Sequence, residues 1–298
     1  MGWLAACAAT CAFSVAAPIV TVLISLGFDP TSVLVVRLWL GVVLLFGTLA
    51  LFAPERLRLP RRGLLAVAVA GPVLGLASLL YFWSLTRLHT SIAAMLLGLE
   101  PLAALLMLAL RGERFTYRIV VRVALGLMGV YLLVGVQGSA DLLGVLMVVG
   151  TVIGSAFQTV ALQWYLADYD GRTVTAYMVL AAAIIVSVCW VVQGMVWRSL
   201  TWPALAGIVV LALLPTYAAR LGLFAAVRRL GGGQVALLAP VETLLTVLWA
   251  VIFLGDRLTL AQLAGGGLVL LSAVLAVRRL RRARVPNENA EAEVLAGQ

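Results

Sequence analysis

Glu100 and Glu242 stand inside long apolar stretches. A carboxylate facing hydrocarbon is costly, so each is expected to face the interior of a helix bundle or a water-filled cavity. There it either binds a cationic group or exchanges a proton, or it serves as a fixed acceptor for a backbone N–H or an arginine. Arg37 and Arg220 are placed in the same way. Arg37 either holds a substrate carboxylate or snorkels to the interface. Arg220, deeper in its span beside Thr216 and Tyr217, is expected to hold an anionic group or to pair with Glu242. Tyr81, Trp83, Phe157, Gln158, Gln163, Tyr177 and Tyr217 would fill out a cavity around these charges, or, near span ends, join the interfacial aromatic belt. Trp3, Trp197 and Trp202 are assigned to that belt.

Metal and nucleophile chemistry finds little to use. Cys7 and Cys11 share a helix face, but two thiols with no further ligand make no metal set. His89 is the only histidine and falls in a short loop, where a solvated residue is expected. No H-E-x-x-H pattern and no aspartate cluster for a metal-bound diphosphate is present, so a lipid-modifying enzyme is disfavoured and no cofactor or metal is expected.

The charges are rare because the surroundings are apolar. Hydrophobic residues make up 64% of the 298 positions and charged residues 11%, with a mean hydropathy of +1.13. A soluble domain carries about 25% charged residues, so this chain could not cover a water-facing surface. The net charge of +9 comes from 21 basic residues, all arginine, gathered in short bursts between apolar stretches. That distribution is the signature of loops on one side of a bilayer and excludes a nucleic-acid-binding face.

Stretches long enough to cross about 30 Å of hydrocarbon recur with short breaks. Ten spans are expected near residues 3–26, 32–53, 63–85, 91–110, 118–136, 142–166, 174–197, 203–227, 234–254 and 258–277. With the N-terminus inside, fifteen loop and tail arginines lie on the cytoplasmic side and three (Arg87, Arg198 and Arg257) on the other. The expected location is therefore the cell (inner) membrane, multi-pass, with both termini cytoplasmic. The first apolar segment lacks a charged n-region and reads as a retained span.

An internal repeat organises the spans. Arg87-Leu88 and the Ala94, Leu96 and Glu100 that follow recur as Arg229-Leu230, Ala236, Leu238 and Glu242 at a constant offset of 142. After a one-residue slip, Gly112-Glu113-Arg114-Phe115-Thr116 falls on Gly255-Asp256-Arg257-Leu258-Thr259. Upstream, Phe82 meets Phe224 and Pro72 lies close to Pro215. Five spans per copy is an odd number, so the second copy enters the membrane the other way up, a plan that puts a site near the midplane at the seam. The expected fold is an all-α integral membrane protein of ten transmembrane helices in two inverted five-helix repeats, residues 1–140 and 141–284. The polar, acidic end, 285–298, is expected to be a disordered cytoplasmic tail. Gly71-x-x-x-Gly75 and Gly150-x-x-x-Gly154 would let helices approach closely.

The paired Leu-x-x-Glu helix, the Gly-Glu-Arg-x-Thr turn, the aromatic run Tyr81-Phe82-Trp83 and the duplication resemble the drug/metabolite transporter superfamily, EamA family. The resemblance covers residues 3–280 and is strongest in spans three to five and eight to ten. It departs at Pro240-Val241-Glu242, where proline precedes the acid, and at Asp256, which replaces a glutamate. It implies a secondary-active transporter, an exporter of small organic metabolites such as amino acids or amphipathic compounds, working by alternating access. The chain carries no nucleotide-binding fingerprint, so a gradient, of protons or of the substrate itself, would drive it. A passive facilitator or channel on the same fold is the alternative. The expected partners are a small-molecule substrate, the lipid bilayer and protons.

Overall fold

A computed structural model describes residues 2–109, 117–134, 141–165, 169–195, 197–199, 201–230, 235 and 238–277. The first Gly-Glu-Arg-x-Thr turn, the Gly231-Gly232-Gly233 break, the tail and the Gln163 side chain lie outside the described residues. Among those described every regular element is helical. Helices α1 (Gly2–Ser14) and α2 (Ala16–Ser25) form the first span. Then come α3 (Pro30–Phe52), α4 (Arg61–Ser84), α5 (Thr90–Leu97) and α6 (Glu100–Ala109). They are followed by α7 (Tyr117–Val134), α8 (Leu142–Tyr165) and α9 (Gly171–Val192). Helix α10 (Trp202–Leu211) runs through a π-helical segment, Ala212–Ala218, into α11 (Ala219–Leu230). Helix α12 (Ala239–Trp249) ends in a second π-helical segment, Ala250–Leu254, and α13 is Leu260–Val277. Among the described residues eight helical segments are long and apolar enough to cross a membrane, and Ile119–Val134 and Ala239–Leu254 are shorter apolar helices.

The outer surface carries many large apolar side chains. Leu51, Phe52, Val192 and Leu260 stand at least 79% exposed. Helices that are hydrophobic all round belong in lipid. With no water to satisfy polar groups there, side chains find partners on other helices. The indole N–H groups of Trp39, Trp83, Trp190 and Trp249 donate to the hydroxyls of Ser187, Thr31, Ser32 and Ser14 at 2.9–3.1 Å. The core runs through α2, α3, α4, α5, α8 and α9, with α4 lying against both α8 and α9.

Glycine sets those crossings. A Cβ on Gly75 would stand 2.6 Å from Ile185 and 2.9 Å from the Ala182 carbonyl of α9, and one on Gly71 would meet Ala181. On the other side of α4, a Cβ on Gly154 of α8 would meet Ala77 and one on Gly150 would meet Leu80. Both small-residue pairs read from the sequence thus lie at the contacts of one helix. Helices α7 and α13 approach more closely still: Gly129 and Gly265 each place a carbonyl oxygen 2.7 Å from where the other's Cβ would be.

The two ends of the bundle differ. At one end Thr21 bonds Thr90, Thr31 donates to Gln193, and Arg87 pairs with Asp141, which also accepts from the Leu143 amide opening α8. Asp256 accepts from the Ser91 amide at 2.9 Å and the Ser91 hydroxyl at 2.8 Å, tying the loop before α13 to the start of α5. His89 is exposed as expected, with its Nδ1 3.4 Å from Asp256. The other end carries Arg58, Arg61, Arg62 and Arg172, all exposed.

Candidate functional site

Both acids occupy the first turn of a half-helix. Proline has no amide proton, so Pro101 cannot bond the carbonyl of Leu97, and its ring crowds that turn. The helix stops there: α5 ends at Leu97, Gly98 and Leu99 turn, and α6 opens with Glu100. Pro240 stands in the opening positions of α12, with Glu242 in the same first turn. Proline suits the first helical position, and a carboxylate in a first turn is favoured by the exposed N–H groups and the helix dipole. The sequence reading took the acids as mid-span residues. The structure puts each in the first turn of a helix, Glu100 directly after the turn at Gly98 and Leu99.

The half-buried Glu100 accepts a hydrogen bond from Thr159 of α8 at 3.2 Å. Glu242 lies close enough to feel the charge of Glu100, and Tyr81 of α4 feels the charge of Glu242. The two acids and Tyr81 therefore form one group. Gln158 is half-buried beside Thr159 in the chain, and Phe157 is exposed.

The arginines form a second group. Pro215 cannot supply an amide to the carbonyl of Leu211, so the turn widens into the π-helical segment and the Thr216 hydroxyl bonds that carbonyl instead, at 2.9 Å. The same hydroxyl accepts from Arg37 Nε at 2.8 Å. The Arg37 guanidinium lies 5.5 Å from the centre of the Phe82 ring, a cation–π contact. Arg37 is thus turned into the bundle, and its charge and that of Arg220 act on each other. Gly41, one turn along α3, makes room: a Cβ there would stand 2.6 Å from the Thr216 methyl. Arg220 makes no ion pair with Glu242 among the described residues, and its Nε is buried without a hydrogen-bond partner.

A cavity of about 200 Å³ opens between α3 and the segment from Tyr217 to Leu221. Leu45, Leu49, Phe52 and Tyr217 line it, and Arg172 puts it at the arginine-rich end. Other expected site residues lie elsewhere. Tyr177 donates to the Leu57 carbonyl at 2.8 Å and packs edge-on against Phe46, fastening α9 to the loop after α3. Trp83 belongs to the hydrogen-bonded end, through Thr31. Thr159, Phe82 and the bridging role of Thr216 were not read as site features. The proline just before Thr216 was the signal available for it.

No group of three or more His, Cys, Asp or Glu able to hold a metal occurs among the described residues. No curated protein matches the chain. A solved structure, described only as the crystal structure of a protein, superposes with a TM-score of 0.64 at 20% identity, covering 95% of this chain and 98% of its own. At that identity the likeness is one of fold. The model of the EamA-like transporter family matches twice, over residues 1–135 and 142–278. Each match holds one of the two acids, and the chain belongs to the EamA-like transporter family.

Proposed function

We propose that the chain is a secondary transporter that exports small organic metabolites across the cell membrane by alternating access. In this reading it has ten spans in two inverted copies, residues 1–140 and 141–284, with both termini cytoplasmic. The observation that carries it is the matched placement of Glu100 and Glu242. Each stands in the first turn of a helix, one in each family unit, and Glu242 is within electrostatic reach of Glu100. Discontinuous helices meeting at a repeat seam are how many secondary transporters build a midplane site. Glu100 and Glu242 bind a cationic group of the substrate or carry a proton between the two sides. Tyr81, Gln158 and Tyr217 contribute polar surface, while Trp83 and Tyr177 act through the packing they anchor.

The positive-inside rule assigns the arginine-rich end to the cytoplasm. The cavity then opens inward, and the hydrogen-bonded end closes the outer face. Loading from the cytoplasm agrees with export.

Proteoliposome counterflow with amino acids and amphipathic cations tests the proposal. Trans-accelerated exchange is the expected result, and Glu100→Gln or Glu242→Gln lowers it at least tenfold, a loss of about 1.4 kcal/mol or more in transition-state stabilisation. Full exchange in the double variant would remove the acids from the mechanism. Flux without trans-acceleration would indicate a continuous pore.

A further inference from the structure

Two like charges lie within reach of each other in this bundle, and among the described residues neither makes an ion pair. Thr216, which receives Arg37, is one helical turn before Arg220, and the charge of Arg220 acts on Arg37. Glu242 feels the charge of Glu100. Arg37 is held by a neutral hydroxyl and an aromatic face, neither of which supplies negative charge. Arg220 is half-buried and leaves Nε buried without a partner. A charged group inside a membrane ordinarily pairs with an opposite charge or a polar acceptor. A buried donor left unmade costs the full desolvation of that group.

We propose that Arg37 and Arg220 together hold an oxyanion, a carboxylate or phosphate group, on the face of the bundle formed by α3 and the π-helical segment. Guanidinium forks match both groups in geometry and stay charged at any physiological pH. Thr216 fixes the Arg37 fork through its Nε, leaving the terminal nitrogens for the ligand. The route of access we assign is the cavity lined by Tyr217, three residues before Arg220, and Leu221, next to it; the arginines themselves stand behind that lining. The anion comes either from a water-soluble molecule or from the headgroup of an anionic lipid. That a soluble anion would be part of the transported substrate rests on the transporter reading above; the site itself does not.

The test uses the full-length protein in phosphatidylcholine nanodiscs, with thermal unfolding followed at constant ionic strength. Acetate or inorganic phosphate replaces chloride, and a parallel set of discs contains phosphatidylglycerol. Protection over the chloride baseline is expected from at least one of the three. The half-saturating concentration rises at least tenfold in Arg37→Met and in Arg220→Met, and protection vanishes in the double variant. In chloride, each single variant unfolds no earlier than the wild type, because removing one charge relieves the other. A purely structural arginine would give the opposite result. Protection by acetate and phosphate but not by phosphatidylglycerol assigns a soluble ligand, and the reverse assigns a lipid. Competition between acetate and phosphate on the wild type needs no variant, and independent, additive protection would overturn a shared site. No protection from any probe, or undiminished protection in the double variant, overturns the proposal. Counterflow activity without protection removes this site alone, whereas protection without counterflow removes the transporter reading and leaves the site.

Discussion

The Thr216 hydroxyl serves two partners at once, giving its proton to the Leu211 carbonyl and accepting from Arg37. Valine has nearly the same shape and neither capacity. Thr216→Val is expected to lower stability by about 1–3 kcal/mol, because it orphans a buried carbonyl and a charged donor together. Thr216→Ser should restore most of that, and unfolding in nanodiscs compares the two. A different residue-scale effect belongs to the hydrogen-bonded end. The hydrogen bond from Arg87 holds the Asp141 carboxyl below its ordinary value of 3.8. A depressed carboxylate contributes stability that is fully present above its unfolded value and is lost as the pH falls through the folded one. Exchange protection of the Leu143 amide should therefore be constant from neutral pH down to about 4 and fall below it. In Asp141→Asn that acid dependence should be absent.

Among the elements, breaks and close contacts decide behaviour. Pro101→Ala gives back the amide that could bond the Leu97 carbonyl, so α5 and α6 gain a reason to join. The protein should remain folded while exchange drops severalfold, which paired unfolding and counterflow measurements would show. Two glycines make a matched prediction. Gly47 on α3 meets nothing within 4 Å of a built Cβ, whereas Gly75 on α4 meets the backbone of α9. Gly47→Ala should raise stability by about 0.5–1 kcal/mol, the ordinary helix preference for alanine. Gly75→Ala should lower it by about 1–3 kcal/mol through overpacking. Much at this scale was legible in advance: eight of the ten expected spans fall on helices long and apolar enough to cross a membrane, the fifth and ninth fall on shorter ones, and both small-residue pairs sit at contacts. The breaks were harder to read. Hydropathy is blind to them, because Leu97, Gly98 and Leu99 are as apolar as the helix on either side, and only the proline beside Glu100 pointed there. The Thr159 contact depends on how α6 and α8 cross, which no pattern local to either helix specifies.

For the molecule as a whole, charge asymmetry and the repeat were readable because each sums many weak signals along the chain. The tie between copies was not. Asp256 was read as one residue of a repeated turn, yet it bonds the start of α5 more than 160 positions earlier. Asp256→Ala leaves the Ser91 amide without that acceptor and loosens one copy from the other at the hydrogen-bonded end. The expected outcome is faster labelling of a cysteine at Ser91's neighbour, Thr90→Cys, by a membrane-impermeant maleimide in a cysteine-free background. Unchanged labelling would show that the tie does not govern access.

The crossing of α7 and α13 has one more consequence. Where Gly129 meets Gly265 the backbones touch, a Val269 methyl of α13 seats in the notch at Gly129, and Leu132 of α7 faces the notch at Gly265. Interlocked side chains give a helix pair preferred registers, with a barrier between one register and the next. Here the filled notches, together with the Ser272 hydroxyl donating to the Arg122 carbonyl, select one register and latch α7 and α13 into a single unit. Any side chain placed at either glycine would fill its notch and spring that latch before it did anything else.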